Sequence, residues 1–347
     1  MWVSLIVIVV LMLAVIFVNG WTDAPNAIAT AVSTRVITPA AAVKMAVVMN
    51  FLGVLIMTVV SPKVADTLSK MIVINPGQEK DALVVLAAAM FSIVIWATAA
   101  WRFGIPTSES HALIAGVTGA AIGLGGFSSV SKEQWALVLI GLLISSVLGF
   151  FSGWLSVKGI ELAFRRVKRR TADKVFHFGE MSAAAMMAFL HGAQDGQKFI
   201  GIFLLGIYYF GIAEPGSPFV VARMADGSFD VPWYLIVICS VVMGLGTSIG
   251  GYRIIKAVGM DMVKLQKYQG FASDIAASFC LLLSTLTGVP VSTTHTKTTA
   301  IMGVGASKRL SAVNWIVARD MILAWVLTFP GCGAISFLMA KLFLKLF

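Results

Sequence analysis

Two pairs of short motifs hold most of the side chains that could do chemistry in this 347-residue chain. The first pair is Asn19-Gly20-Trp21-Thr22-Asp23-Ala24-Pro25-Asn26 and His191-Gly192-Ala193-Gln194-Asp195-Gly196-Gln197-Lys198. Each places an aspartate inside a long apolar run, where an ionised carboxylate costs at least about 3 kcal/mol and by default marks an ion path or a relay. Gly20, Pro25, Gly192 and Gly196 are expected to loosen the helix around each aspartate and free carbonyls beside it. A carboxylate, amide oxygens and freed carbonyls make an all-oxygen site suited to a hard monovalent cation such as Na⁺. The alternative is that Lys198 or a nearby arginine pairs with the aspartates structurally.

The second pair is Pro106-Thr107-Ser108-Glu109-Ser110-His111 and Pro290-Val291-Ser292-Thr293-Thr294-His295. Proline is favoured in a first helical turn, where its missing N–H is no loss, so each motif predicts a half-helix entered from a glycine-containing bend. Such a turn leaves N–H groups unpaired at the positive end of the dipole, which suits an anion. The hydroxyls of Thr107, Ser108, Ser110, Ser292, Thr293 and Thr294 add donors that rotate to meet several oxygens. Two such turns meeting tip to tip would cradle a tetrahedral oxyanion from both sides. The competing reading is that these hydroxyls cap the helices and bond back to carbonyls.

The two kinds of motif constrain each other. A doubly charged anion cannot sit beside two carboxylates at low dielectric. Cations bound between them remove the conflict, so anion and cation each favour the other's binding, the differential affinity that cotransport requires. Other polar residues are weaker signals. Asp274 fits a third cation site, a gate pairing or a structural carboxylate equally well, Asn50 reads as interhelical glue, and His111 and His295 fit helix packing or contact with a proton or the anion. Gly116, Gly119, Gly303 and Gly305 suit close helix contact.

The elements that position these motifs follow from composition. Hydrophobic residues make up 59% of the chain and charged residues only 12%, about half the charged share of a soluble protein, which excludes one. The chain is all-α and polytopic, with about ten to twelve membrane crossings or re-entrant pieces. Uninterrupted spans are predicted near 40–60, 82–101, 134–157, 231–251 and 315–340. The segments 2–38, 103–127, 181–212 and 268–305 are apolar but interrupted by polar residues beside Gly or Pro, and irregular backbone at membrane depth is tolerated only where buried in protein or lining a wet cavity. The N-terminal run lacks a basic region and a cleavage signature and is expected to be a retained span. Cys239, Cys280 and Cys332 lie far apart in apolar surroundings and suggest neither a disulfide nor zinc.

A net charge of +10 would point to nucleic acid in a soluble protein, but here the positive-inside rule accounts for it. Its densest part, Lys158 to Lys174, reads as a cytoplasmic linker that could also touch anionic lipid. The halves on either side echo each other. Phe17 to Asp23 aligns with Phe189 to Asp195, and Gly104 to His111 with Gly288 to His295, in the same order and at nearly equal separations. Residues 1–157 and 179–347 are therefore expected to be repeats joined by a linker at 158–178, the arrangement of secondary transporters with a site at the repeat interface. Inverted repeats with the linker inside would put both termini outside.

These paired signatures resemble those of the inorganic phosphate transporter (PiT) family. Gly20-Trp21-Thr22-Asp23 with Asn26, and Gly192-Ala193-Gln194-Asp195, are similar to its Gly-Ala-Asn-Asp motifs. Its Pro-Val-Ser-Thr-Thr-His motif stands intact at Pro290 to His295 and altered at Pro106 to His111, and Asp274 matches a family glutamate that precedes the second copy. The resemblance runs from Asn19 to about Gly305. It implies a cation-coupled phosphate symporter of the cytoplasmic (inner) membrane, working by alternating access, with two inverted repeats, re-entrant hairpins and a homodimeric assembly. It assigns phosphate contact to Thr107, Ser108, Ser110, Gln194, Ser292, Thr293 and Thr294, and cation contact to Thr22, Asp23, Asn26, Glu109, Asp195 and Asp274, with Asn19, His111, His191 and His295 in support. Thr22 and Gln194 replace family asparagines, and Glu109 replaces a hydroxyl residue, so it either points away from the anion or binds cation.

No organic cofactor or nucleic acid is expected. Phosphate keeps a protonated oxygen near neutral pH and sulfate does not, so an acceptor at Asp23, Asp195 or Gln194 favours phosphate, while oxygen-only clusters favour Na⁺ over H⁺ coupling. The rival within transport is a proton-coupled sulfate or phosphate permease. From another class, Ser292 with His295, or Ser108 with His111, has the helical spacing of a hydrolytic dyad, but without a third orienting partner.

Overall fold

The computed structural model describes residues 2–103, 107–218, 220–224 and 228–346. Gly104, Ile105 and Pro106, the bend expected to open the first half-helix, lie outside the described residues. The described residues are mostly helical, joined by turns and short loops, with isolated β-bridges the only pairing of extended chain among them. Among the described residues eight helices are long and apolar enough to cross a membrane, nine if one bent pair is taken as a single span. The shorter α4 (Lys63–Ser69) and α12 (Thr293–Ala306) are further helical pieces. This is a multi-pass membrane protein.

The first span is broken where the sequence predicts. α1 (Trp2–Thr22) ends at a turn over Asp23 and Ala24, and α2 (Pro25–Ser33) begins on Pro25. Proline has no N–H for the carbonyl one turn back, so the helix ladder lapses at the aspartate. α3 (Pro39–Val60) follows, capped by Thr38. α5 (Glu79–Arg102), α6 (Glu109–Gly125) and α7 (Lys132–Phe164) complete the first half. The basic segment 158–178 is helical except for an exposed turn at 165–168 and leads into α8 (Arg169–Ala213).

One expectation fails at α8. Gly192 and Gly196 do not loosen it, because the helix runs unbroken for 45 residues through Asp195. These glycines instead admit neighbours, with the backbone of Asn50 against Gly192 and the side chain of Val54 against Gly196. The break around Asp23 thus has no counterpart around Asp195. α9 (Trp233–Thr247) meets α10 (Tyr252–Lys256, continued by a π-turn to Asp261) at a 67° bend. α11 (Lys267–Thr287) stops at Gly288 with φ +80°, and non-helical Val289 to Val291 leads to α12. α13 (Trp315–Leu346) closes the chain.

Two packings set the geometry of the centre. α13 lies along α6 in the same direction, Cys332 on the Ala112 carbonyl and Ser336 on that of Gly116. α12 lies along α7 in the same direction, Gly149 against Thr296 and Gly153 against Ala300. α6 and α7 are joined by a reversal across which Trp135 Nε1 donates to Thr118 Oγ1 at 2.8 Å. α6 and α12 therefore run in opposite directions from N-termini that meet. The expected close contacts of Gly119 and Gly303 are present, against the backbones of Gly333 and Phe150.

Candidate functional site

The meeting point is a hydrogen bond between Ser108 Oγ and Ser292 Oγ, 2.8 Å apart. Both serines are N-caps, each taking the backbone N–H of the histidine three residues on, at 3.4 Å for His111 and 3.2 Å for His295. First-turn amides have no intrahelical acceptor. Two positive helix ends thus face one another at the centre of the protein, an arrangement suited to anionic oxygen. The buried hydroxyls just beyond the caps bond to side chains of the first motif pair. Thr294 donates to Asp23, Thr293 donates to Asp195 at 3.1 Å, and Ser110 accepts from Lys198 at 2.6 Å. Thr107 stands apart and lines a surface cavity of about 570 Å³ with Trp96, Phe103 and Asp320.

Asp23 and Asp195 are each 1% exposed, so the cluster is sealed from both surfaces. Asn26 Nδ2 donates to Asp23 Oδ1 at 2.6 Å and to Thr294 Oγ1 at 3.3 Å. Lys198 Nζ donates to Asp195 Oδ1, Ser110 Oγ and the Val291 carbonyl, each at 2.6 Å. Asn19 bridges the two acids' surroundings by donating to Asp195 Oδ2 at 3.2 Å. Thr22 donates to Glu109 Oε1 at 2.9 Å, so the altered residue of the first hairpin turns to the α1 break. His191 sits with Nδ1 2.7 Å from Asn50 Oδ1 and Nε2 3.4 Å from Asp195.

Three buried oxygens here have no hydrogen-bond partner: Asn19 Oδ1, Asp23 Oδ2 and Asn26 Oδ1. Oxygens left bare at this depth are costly unless something positive meets them. The ligand atoms of Asp23, His191 and Asp195 lie within 4.8 Å of one another, a spacing that can hold an ion. The donors are mostly hard oxygens, which fits an alkali cation better than a transition metal.

The phosphate transporter family model matches residues 19–172 and 162–336. The chain is 35% identical to a "Probable low-affinity inorganic phosphate transporter" of Bacillus subtilis (strain 168), over 96% of each chain. It is 37% identical to one of the same description from Rhizobium meliloti (strain 1021), over 92% of this chain and 90% of that one. The chain belongs to the phosphate transporter family. A solved structure described as "The sodium-dependent phosphate transporter" has the same fold, with a TM-score of 0.87 over 99% of both chains at 22% identity.

A member of this family is a transporter, not an enzyme, and the geometry of the two histidines agrees. His295 has Nδ1 3.1 Å from Ser146 Oγ and stacks on Trp325 with centroids 3.7 Å apart. His111 has Nδ1 3.2 Å from the Trp325 carbonyl, and its ring meets His295 edge-on at 4.3 Å. Neither ring addresses the neighbouring serine hydroxyl, which is occupied in capping. Both histidines meet Trp325, and among the described residues no hydrogen bond joins either to an aspartate.

Two other expected residues turn elsewhere. The Gln194 amide is held by Ser284, Thr285 and the Val289 carbonyl at 3.4, 3.1 and 3.1 Å, so it fixes the approach to α12. Asp274 lies in a second cluster one helical turn from the first on both α2 and α12. It is ion-paired with Lys297, and Thr30 donates to it at 2.8 and 2.9 Å. Glu180, fully buried, has both carboxylate oxygens without a hydrogen-bond partner.

Sequence reasoning passed over Lys297, Thr30 and Glu180. The signal was present, since an ionisable residue in an apolar run is a functional candidate by default. Lys297 stands in the interrupted apolar segment 268–305, whereas Glu180 lies just before the segment 181–212 and gave a weaker signal. The Lys198–Asp195 pair, weighed in the sequence as a structural alternative, does form.

Asn26, Thr30 and Thr34 share one face of α2 at helical spacing. Asn26 belongs to the first cluster, Thr30 to the second, and Thr34 lines a cavity of about 670 Å³ at the basic end of the molecule. Arg35, Arg165, Arg169 and Lys267 border that cavity with Glu161 and Asp173, and Lys267 pairs with Asp173 at 3.0 Å. A polar stripe thus leads from a basic vestibule to the paired helix tips.

Proposed function

We propose that this protein carries inorganic phosphate across the cytoplasmic membrane by alternating access, coupled to a cation that is Na⁺. The observation that carries this reading is the convergence of two helix N-termini on a sealed centre beside buried oxygens that lack partners. The helix ends offer amides to an anion, and the bare oxygens of Asn19, Asp23 and Asn26 offer a place to a cation.

Charge supports the coupling. Among the described residues five buried carboxylates, Asp23, Glu109, Glu180, Asp195 and Asp274, face two buried ammonium groups, Lys198 and Lys297. A phosphate of charge near −2 entering this centre deepens the deficit, and a bound cation relieves it. Sealing from both surfaces fits a site that opens to one side at a time. The sodium dependence named for the structural relative points the same way.

The opposed directions of α6 and α12 support two inverted halves, 1–157 and 179–347, about a basic linker at 158–178. With the basic turn cytoplasmic, close to anionic lipid, both termini lie outside. A homodimer completes the reading. Labelling of terminal tags from each side of sealed vesicles tests the topology, and light scattering of the purified protein tests the dimer.

The deciding experiment uses purified protein in liposomes, radiolabelled phosphate or sulfate, and imposed Na⁺ or H⁺ gradients in separate runs. The expected result is phosphate accumulation driven by Na⁺. Uptake indifferent to Na⁺ but driven by H⁺ would transfer the coupling to protons, and preferential sulfate accumulation would overturn the substrate.

A further inference from the structure

The two halves build the same half-site from matching positions, and one residue differs in charge. The register that places Asp23 on Asp195 places Asn26 on Lys198, and the register that places Ser108 on Ser292 places Ser110 on Thr294. In one half Asn26 bonds Asp23 and Thr294, and in the other Lys198 bonds Asp195 and Ser110. Each trio joins an aspartate, the residue three positions on, and a hydroxyl from the other half's hairpin helix. The chemistry at the middle position is an amide in the first trio and an ammonium in the second.

The surroundings of Lys198 Nζ are those of a bound cation. Its three oxygens, all at 2.6 Å, are a carboxylate, a hydroxyl and the carbonyl of Val291 in the non-helical entry to α12. Carboxylate oxygen with unwound carbonyls is the donor set on which coupling cations are held in transporters of this kind. An ammonium has three N–H donors, and all three are used. Both oxygens of Asp195 are engaged as well, Oδ1 by Lys198 and Oδ2 by Asn19 and Thr293. Around Asp23 the balance is reversed, since Asp23 Oδ2, Asn26 Oδ1 and Asn19 Oδ1 are all without partners.

We propose that Lys198 is a tethered cation filling one of two equivalent cation half-sites, so that only the half-site of Asp23 and Asn26 takes a mobile cation. This rests on the reading of the chain as a cation-coupled carrier. Its functional consequence is stoichiometric. A positive charge fixed beside the helix tips supports the anion at no cost in coupling ions, and each transport cycle moves one cation fewer through the centre than two open half-sites would.

Exchanging the two middle residues tests the proposal. Equilibrium binding of radiolabelled Na⁺ to the purified full-length protein in detergent is measured for wild type, Lys198→Asn and Asn26→Lys, each checked for a single gel-filtration peak. Lys198→Asn, which installs the counterpart residue, is expected to bind one more Na⁺ per chain than wild type and, in liposomes, to steepen the Na⁺ dependence of phosphate uptake. Asn26→Lys is expected to lose Na⁺ binding and Na⁺ stimulation together. An unchanged count in folded Lys198→Asn overturns the proposal, as does Na⁺ binding retained in Asn26→Lys, which decides the matter if the first variant does not fold. Wild-type protein that binds no Na⁺ removes the sodium-coupled reading of function. In that case one Na⁺ gained by Lys198→Asn still supports the tethered cation, and none gained overturns it too.

Discussion

Ser108 and Ser292 occupy equivalent positions in the two halves and hydrogen-bond to each other, hydroxyl to hydroxyl, at 2.8 Å. Residues 184 apart in sequence meet their own counterparts, as His111 and His295 do a turn further on. Each serine also caps its helix, a role worth about 1 kcal/mol. Ser108→Ala and Ser292→Ala are each expected to lower the thermal midpoint and to raise the KM for phosphate several-fold. Because they share a bond, the double variant is expected to fall short of the sum of the singles. Fully additive losses in thermal unfolding would show that the tips do not act as one unit.

The two central aspartates are expected to respond differently to the same change. Asp195 neutralises Lys198, and breaking a buried pair from one side costs about 3–5 kcal/mol because the other charge remains. Asp195→Asn is therefore expected to reduce the folded yield. Asp23 has no lysine on it, so Asp23→Asn is expected to fold and to raise the Na⁺ concentration for half-maximal uptake about tenfold, a change of ~1.4 kcal/mol. Thermal unfolding and Na⁺ titration of uptake separate the two effects. Equal loss of folded protein in both would remove the distinction.

What the sequence made legible was set by local rules. Pro25 announced the break before α2, the hydroxyl motif announced α12 although Pro290 lies two residues before the Ser292 cap rather than in the first turn, paired motifs announced the meeting of distant segments, and the few acids in an apolar chain marked the centre. Local rules could not say which hydroxyls would face the acids. Thr293 and Thr294, in the first turn of α12, bond the aspartates, while Thr107, just before the cap of α6, lines a surface cavity, a difference that only packing decides. Nor could glycine alone foretell that α8 stays whole. Gly192 was equally consistent with a break and with the close approach of Asn50, and tertiary contact chose the second. Lys297 stayed hidden for a related reason, since its partner Asp274 is contributed by a different helix.

The Lys297–Asp274 pair offers a test of how the second cluster is balanced. Lys297→Met leaves Asp274 and Glu180 buried together without their ammonium, and the expected cost is about 3–5 kcal/mol. Asp274→Asn combined with Lys297→Met removes both charges and is expected to recover much of that loss. Because Thr30 bonds both partners, at 2.8 Å to Asp274 and 3.0 Å to Lys297, the double variant also reports whether this turn of α2 remains in place. Thermal midpoints of the singles and the double in detergent form the cycle. A double variant as unstable as the sum of the singles would place the cost in lost packing rather than in unpaired charge.

Arg35 carries the last prediction. It follows α2 at the position where a helix commonly ends in the left-handed region, with φ +58°, and it is the one described non-glycine residue with positive φ. The Val36 amide bonds the Ala31 carbonyl and the Arg35 amide bonds that of Val32, at 3.1 Å each, the paired bonds of a Schellman ending. Glycine suits that position without strain, whereas an L side chain there costs about 1 kcal/mol. The side chain borders the basic cavity beside Arg165 and Arg169, and a backbone outlier at such a place motivates a test of its charge. Arg35→Gly is therefore expected to raise the thermal midpoint by a few degrees and at the same time to slow phosphate exchange from the basic side, most at low ionic strength, where steering is least screened. Arg35→Lys is expected to keep both the strain and the exchange rate. A glycine variant that is stabilised and exchanges phosphate at the wild-type rate at every salt concentration would show that the vestibule plays no part in gathering the anion.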